Sequence, residues 1–426
     1  MIAKVKLWFI NNKNLVKIST FTLLSMVLLF ISWLLDHRLV YIKDSIPDIF
    51  LLPVDVSINF LSNLSGVFLT ISIFALTTII TVINKYTSSF TPRMAQDFMD
   101  RADVLTILGI FVGGFFYSII SLFNLQNIDA SLKVVSGTIG IIYSIVSMIG
   151  FVIFAQRILY NLKTSNVIEN VYKECKKLIE VEIENRRNAK RYKEDRIVDQ
   201  VEILALETGY LFEINYDGIM NLLDDFKGEF VIAKRIGEYI PEGACLANIN
   251  FIEEKSFKKE ELEELKEGIA KYFIINVYKN DQVDYHHEII KITEMALMAL
   301  SPGINDPNTA IICINKLSNL LGKLFSTGNQ YVVVKENKEA KIIYQNYSVK
   351  EELYLVFSQI VACADGDPMV SIEILEGLYL IYMLAGMGAK SQVKEYFDSV
   401  YDILMEDFSH DIHKEKLKEI KENLEG

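Results

Sequence analysis

Four stretches of this 426-residue chain carry no Asp, Glu, Lys or Arg: Ile18 to Leu35, Val56 to Asn84, Val104 to Ile128 and Val134 to Gln156, of 18, 29, 25 and 23 residues. A helix needs about 20 apolar residues to cross a hydrocarbon layer about 30 Å thick, so each is a candidate span. Lipid offers no partner to a free N–H or C=O, and the spans must therefore be helical. Beyond Gln156 no charge-free window exceeds 13 residues, which suits core helices instead. Lysines precede the first window as they would a secretory leader. It ends in Trp33-Leu34-Leu35-Asp36 with no small-x-small cleavage motif, however, and reads as an uncleaved span.

The charge divides the same way. Residues 1 to 160 hold 11 Lys/Arg against 8 Asp/Glu, whereas the remainder holds 32 against 47, net −15. Basic residues cluster at Lys4, Lys6, Lys13 and Lys17, at Lys85, Arg93 and Arg101, and from Arg157 onward, while the other two loops are acidic or nearly uncharged. By the positive-inside rule both termini are cytoplasmic and the protein is a multi-pass protein of the inner membrane. Cys175, Cys245, Cys313 and Cys363 lack zinc-type spacing and are expected as free thiols in a reducing compartment. The acidic second part excludes nucleic acid as the main partner.

The expected architecture is an α-helical membrane domain of four transmembrane helices (1–160), a connector helix (161–200), and an α+β cytoplasmic domain. The latter divides into a small mixed α/β subdomain (201–255) and a mainly helical subdomain with one hairpin (256–426). Strand-like runs at Val201 to Leu206, Tyr210 to Ile214, Glu229 to Ile236 and Ala244 to Asn250 are separated by turn signals, with a short helix near Asp217 to Phe226. The connector, Thr164 to Ile197, has a narrow apolar strip through Val167, Val171, Cys175 and Ile179 suited to a helical partner. Asp306-Pro307 and Asp367-Pro368 each place an N-cap acid before a proline at the first helical position.

Span two carries Asn59, Asn63, Gly66, Thr70, Thr77, Thr81 and Asn84 at steps of three, four or seven, a polar stripe on one helix face. Such a face either lines a water-filled path or packs against another helix. Gly109 and Gly113 in span three, and Gly137 and Gly140 in span four, read as packing seams, either within one subunit or between subunits. After span two, Thr91 caps a helix beginning at Pro92, and Arg93 pairs with Asp97 four residues on. Phe90, Met94 and Phe98 would then face lipid headgroups, making an interfacial helix that serves as an anchor or a gate. In the second half, Ser301-Pro302-Gly303-Ile304-Asn305-Asp306-Pro307 is a helix–turn–helix corner. It is either structural or a polar surface presenting Ser301, Asn305, Asp306 and Thr309 to a ligand or a neighbouring subunit.

Signals for chemistry are weak. His286 and His287 point about 100° apart on a helix and cannot share one ion. Asp365-Gly366-Asp367 lacks the rest of a calcium loop, and Gly386 to Ser391 has the wrong spacing for a phosphate loop. No catalytic residue, cofactor or metal is expected.

The chain resembles the bacterial predicted-membrane-protein family known as domain of unknown function 2254. The resemblance rests on Ser89-Phe90-Thr91-Pro92-Arg93, on the glycine-rich Leu108 to Tyr117, on Glu207-Thr208-Gly209-Tyr210 through Pro241-Glu242-Gly243, and above all on Ala299 to Pro307 with Thr309-Ala310. It covers most of residues 15 to 325. It implies the layout of four spans and a cytoplasmic domain, and no mechanism. The leading expectation is an oligomer, embedded in the lipid bilayer as a homo-oligomer, that forms a permeation path regulated by its cytoplasmic domain. The alternative is a membrane-anchored signalling or scaffold protein whose cytoplasmic domain binds a ligand or partner.

Overall fold

A computed structural model describes residues 13–38, 46–91, 93–95, 98, 102–126, 128–129, 132–188, 199–223, 228–251, 259–279, 284–327, 331–336, 340–364 and 366–425. Its internal contacts divide the chain into two units, Met1–Val167 and Ile168–Gly426.

Among the described residues the first unit has four long helices: α1 (Lys13–His37), α2 (Val54–Ser89), α3 (Ala102–Leu125) and α4 (Ser136–Asn161). All four are long and apolar enough to cross a membrane. The most buried is α3, which packs on α1, α2 and α4. Close approach depends on the seams. A Cβ at Gly109 would lie 3.0 Å from that of Phe21, and one at Gly113 would strike Ser25 and come within 3.1 Å of the Tyr143 hydroxyl. The packing between these helices is therefore within one subunit, as small residues at a helix crossing permit.

Polar groups pin the helix ends. Asp36, at the end of α1, is buried and accepts hydrogen bonds from the Val135 and Ser136 N–H groups at 2.8 and 3.2 Å. It thus satisfies the otherwise orphaned donors at the start of α4. Tyr117 on α3 donates to the Ser136 carbonyl at 2.9 Å, and Tyr86 on α2 to that of Asn161 at 2.8 Å. A two-residue ladder joins Leu52–Pro53 to Lys133–Val134.

The second unit is α+β. It opens with α5 (Thr164–Asn188), whose first turn straddles the boundary. Val171, Cys175 and Ile179 are buried on it. Beside that strip, Tyr172 meets α9 (Pro307–Leu324) by a hydrogen bond to Asn319 (2.9 Å) and Glu169 by an ion pair with Lys316 (2.7 Å), while Cys175 on the strip itself lies 3.8 Å from the Tyr285 carbonyl. The expected extension of the connector to Ile197 lies outside the described residues.

Strands β1 (Asp199–Leu204), β2 (Gly209–Ile214), β3 (Gly228–Ile232), β4 (Tyr239–Ile240), β5 (Cys245–Phe251), β6 (Phe273–Asn276), β7 (Tyr331–Glu336) and β8 (Ala340–Gln345) form two sheets. One has five strands in the order β1-β5-β3-β8-β7, the other three in the order β4-β2-β6. All pairings are antiparallel except β3–β8. The hairpin β7–β8 is thus part of the same sheet as the strands near residue 230, joined through the register Phe230↔Ile342. Ile203, Leu211, Phe230, Ile249, Phe273 and Ile342 form the core here, with the short helix α6 (Tyr216–Leu222) and α7 (Lys259–Ala270) supplying Ile219 and Ile269.

The rest is helical: α8 (Tyr285–Leu300), α9, α10 (Val349–Ala364), α11 (Pro368–Leu384), α12 (Met387–Asp407) and α13 (Asp411–Glu425). Asp306 and Asp367 cap α9 and α11 as their proline neighbours predict, accepting from Thr309 N and from Met369 N and Val370 N respectively. Gly386 precedes α12, with no strand before it. All four cysteines are unpaired.

Candidate functional sites

The helix α2 is amphipathic in an unusual sense. Its buried face, through Ser57, Leu61, Leu64, Phe68, Ser72, Ala75 and Ile79, keeps steps of three and four. Asn59, Asn63, Gly66, Thr70, Thr77, Thr81 and Asn84 are all exposed, and a Cβ added at Gly66 would meet nothing within 4 Å. At 100° per residue the two faces are roughly half a turn apart, so the polar stripe points directly away from the packed core of its own unit. Thr70, Thr77 and Thr81 donate to the carbonyls of Gly66, Ile73 and Thr77 at 2.9 Å, the local bond that satisfies a hydroxyl donor in a membrane helix.

The element after α2 differs from its expectation. Thr91 acts as a cap, its Oγ1 accepting from Met94 N at 3.4 Å, but Phe90, Met94 and Phe98 are buried and do not face a lipid surface. The rings of Phe90 and Phe98 lie 5.3 and 5.2 Å from that of Tyr86. Aromatic burial against a tyrosine fixed by its own hydrogen bond outweighs exposure at an interface. Arg93 is half-buried, while Pro92 and Asp97 lie outside the described residues.

At the corner between α8 and α9, the polar groups serve the turn itself. Ser301 Oγ donates to the Met298 carbonyl (2.6 Å), Thr309 Oγ1 donates to Asp306 Oδ2 (2.6 Å), and the Asp306 N–H closes on the Ala299 carbonyl (2.8 Å). Asn305 takes φ 48°, a left-handed conformation that asparagine tolerates better than most residues. Its side chain is exposed.

The densest chemistry lies where no local motif announces it. Asp284 caps α8 by accepting from His286 N at 3.0 Å, which holds Tyr285 and His286 at the first turn. His286 Nε2 meets Glu352 Oε1 of α10 at 2.9 Å, while its Nδ1 is 3.4 Å from Asp284 Oδ1. Tyr285 donates to the same Glu352 oxygen (2.7 Å) and receives Arg186 Nη2 of α5 at 3.1 Å. Arg186 Nε is 2.6 Å from Glu182. One helical turn on, Lys291 and Glu288 form a second buried pair at 2.7 Å.

Burial by itself would lower the His286 pKa. Glu352 and Asp284 outweigh it and push the imidazole up to about 9, so it is charged at neutral pH. Burial opposes ionisation of Glu352, but the His286 charge and the hydrogen bonds from His286 and Tyr285 hold its carboxyl below the usual carboxylate range. The adjacent pair His286-His287 was the only sequence trace of this cluster. Arg186 and Glu352 reach it from positions 99 and 67 residues from Tyr285. Among the described residues no group of three or more His, Cys, Asp or Glu is arranged to hold a metal ion.

A chain with four membrane-length helices followed by an α+β unit carrying a buried ionic cluster belongs to the class of multi-helix membrane proteins with an appended polar domain. More particularly, it belongs to the family described as predicted membrane protein, domain of unknown function 2254, which it matches over residues 11–379. The chain is 22% identical over 325 residues to an uncharacterized protein of Mycobacterium bovis and, to the same extent, to an uncharacterized protein of Mycobacterium tuberculosis. These alignments cover 73% of this chain and 62% of each relative, so the chain spans less than two thirds of the length of the curated relatives it matches. No solved structure matches.

Proposed function

We propose that copies of this chain associate in a bilayer around the polar face of α2, which lines a hydrated permeation path, with the second unit as its regulatory or assembly platform. The observation that carries this reading is the exposure of the whole stripe on the side of α2 opposite its packed face. From Asn59 to Asn84 at 1.5 Å per residue it runs about 38 Å, enough to traverse a hydrocarbon core of about 30 Å. Leaving such a face in lipid is costly, because an amide transferred to hydrocarbon without a partner loses roughly 2–7 kcal/mol. The threonine hydroxyls, their protons directed to the backbone, keep oxygen lone pairs to accept from water. Both termini lie on the cytoplasmic side in this reading, on the strength of the basic loops.

Flux through reconstituted liposomes tests it. Replacing Thr70 and Thr77 together by valine preserves shape and removes the oxygens, and should cut small-ion flux at least tenfold. Undiminished flux, or none from the unaltered protein for any small ion or solute, overturns the reading. A second reading, a membrane-anchored protein whose second unit binds a ligand, is favoured by a cavity beside the His286 cluster.

A further inference from the structure

The second unit holds a cavity of about 650 Å³, within the range of small-molecule sites. Its described wall is largely aliphatic and aromatic, with Leu178, Ile214, Ile236, Tyr216 and Tyr344. The charged side chains in that wall are Glu182, Glu213, Asp284 and His286.

Each of those charges is answered within the fold. Arg186 meets Glu182, while His286 lies between Asp284 and Glu352. Glu213 has a partner as well. Tyr347, whose ring a ligand cation would seek, already carries the Arg235 guanidinium at 4.0 Å and the His286 ring at 4.1 Å. An ionic ligand of either sign would therefore enter a largely apolar space in which the described charges are already paired, and would lose its hydration without gaining a counter-charge.

The group left over is neutral. Asn346 lines the same cavity, is only 5% exposed, and its Nδ2 has no hydrogen-bond partner among the described residues. Its main chain is held, since the Asn346 carbonyl accepts from Arg235 Nη2 at 3.4 Å, and rotation about the Cβ–Cγ bond alone turns the amide nitrogen toward the cavity. Such a donor is completed by an acceptor, and an uncharged carbonyl oxygen supplies one without bringing a charge. Tyr344, two residues earlier, offers a second donor. Its hydroxyl oxygen accepts from Ile236 N at 3.1 Å, which leaves its proton for another acceptor, and burial raises its pKa well above the ordinary tyrosine value, so the proton stays in place. Residues two apart in an extended chain share one side, and β8 with its exit brings both donors to the same cavity.

We propose that this cavity binds a small neutral molecule, a carbonyl group carried on an apolar body, with the carbonyl oxygen accepting from the Asn346 amide and the body against the aliphatic and tyrosine wall. The proposal goes beyond the permeation path and stands or falls without it.

Four probes that share an indole body test it: indole-3-acetamide, which is neutral and has the carbonyl; 3-methylindole, which has no polar substituent; tryptamine, a cation; and indole-3-acetate, an anion. Each is titrated calorimetrically into the full-length chain in detergent, with a Leu178→Trp variant, which puts a larger side chain into the wall, in the same micelles as the blank. Indole-3-acetamide should bind at least tenfold more tightly than any of the other three. Asn346→Leu, close in size but without the donor, should reduce its preference over 3-methylindole at least fivefold while circular dichroism stays unchanged; where leucine disturbs the fold, Asn346→Ala carries the same expectation. Equal affinities for the four probes, tighter binding of either charged probe, no binding of any, amide binding retained by Leu178→Trp, or a preference unchanged in a folded Asn346 variant would each overturn the assignment.

Discussion

His286 is held as a cation by two carboxylates inside a buried site, and this ties the stability of the second unit to pH. Its pKa rises from an ordinary 6.5 to about 9 on folding. A group whose pKa is raised by folding contributes stability in full below its unfolded value, and loses it as pH rises through the folded one. The unfolding temperature in detergent should therefore fall between pH 6.5 and 9, and His286→Gln should flatten that slope; parallel curves for the two proteins would refute the assignment. The pair Lys291–Glu288 behaves differently. Both side chains are nearly inaccessible, so removing the cation alone takes this ion pair from a buried carboxylate. Lys291→Met should cost about 3–5 kcal/mol in denaturant unfolding, whereas Lys291→Met with Glu288→Leu should recover most of it, since a well-packed apolar pair often matches a buried ionic one. Neither cluster was legible beforehand. Isolated Glu, Arg and His residues carry no local signal of burial.

At the scale of elements, local rules carried far. Asp-Pro pairs placed the starts of α9 and α11, because a cap and a fixed φ act within four residues. The seams of α3 were legible too, since only a glycine lets helices approach so closely. Gly113→Val should push α1 from α3, seen as a markedly lower unfolding temperature of the detergent-solubilised protein; an unchanged value would mean the seam is loose. Missed elements have a common cause. Strands β4 and β6 are two and four residues long and pair with β2 across sequence, too short to show a period. The misreading of Phe90, Met94 and Phe98 arose because a four-residue apolar step fits burial and an interface equally well, and only the position of Tyr86 decides between them.

For the whole molecule, the reading of the α2 stripe proposed above predicts that copies of the chain associate. Mass measurement of the solubilised protein should give a multiple of 48.7 kDa; a strict monomer in mild detergent and in nanodiscs would remove the shared path. The four membrane-length helices and the family were determined by sequence alone, because a bilayer demands some twenty contiguous apolar residues whatever the rest of the chain does. Strand pairing between residues near 230 and near 342, the outward direction of the stripe, and the meeting of Arg186, Tyr285, His286 and Glu352 were decided only by tertiary structure. Each depends on which surfaces meet after the chain closes loops of about a hundred residues, and no local preference encodes that choice.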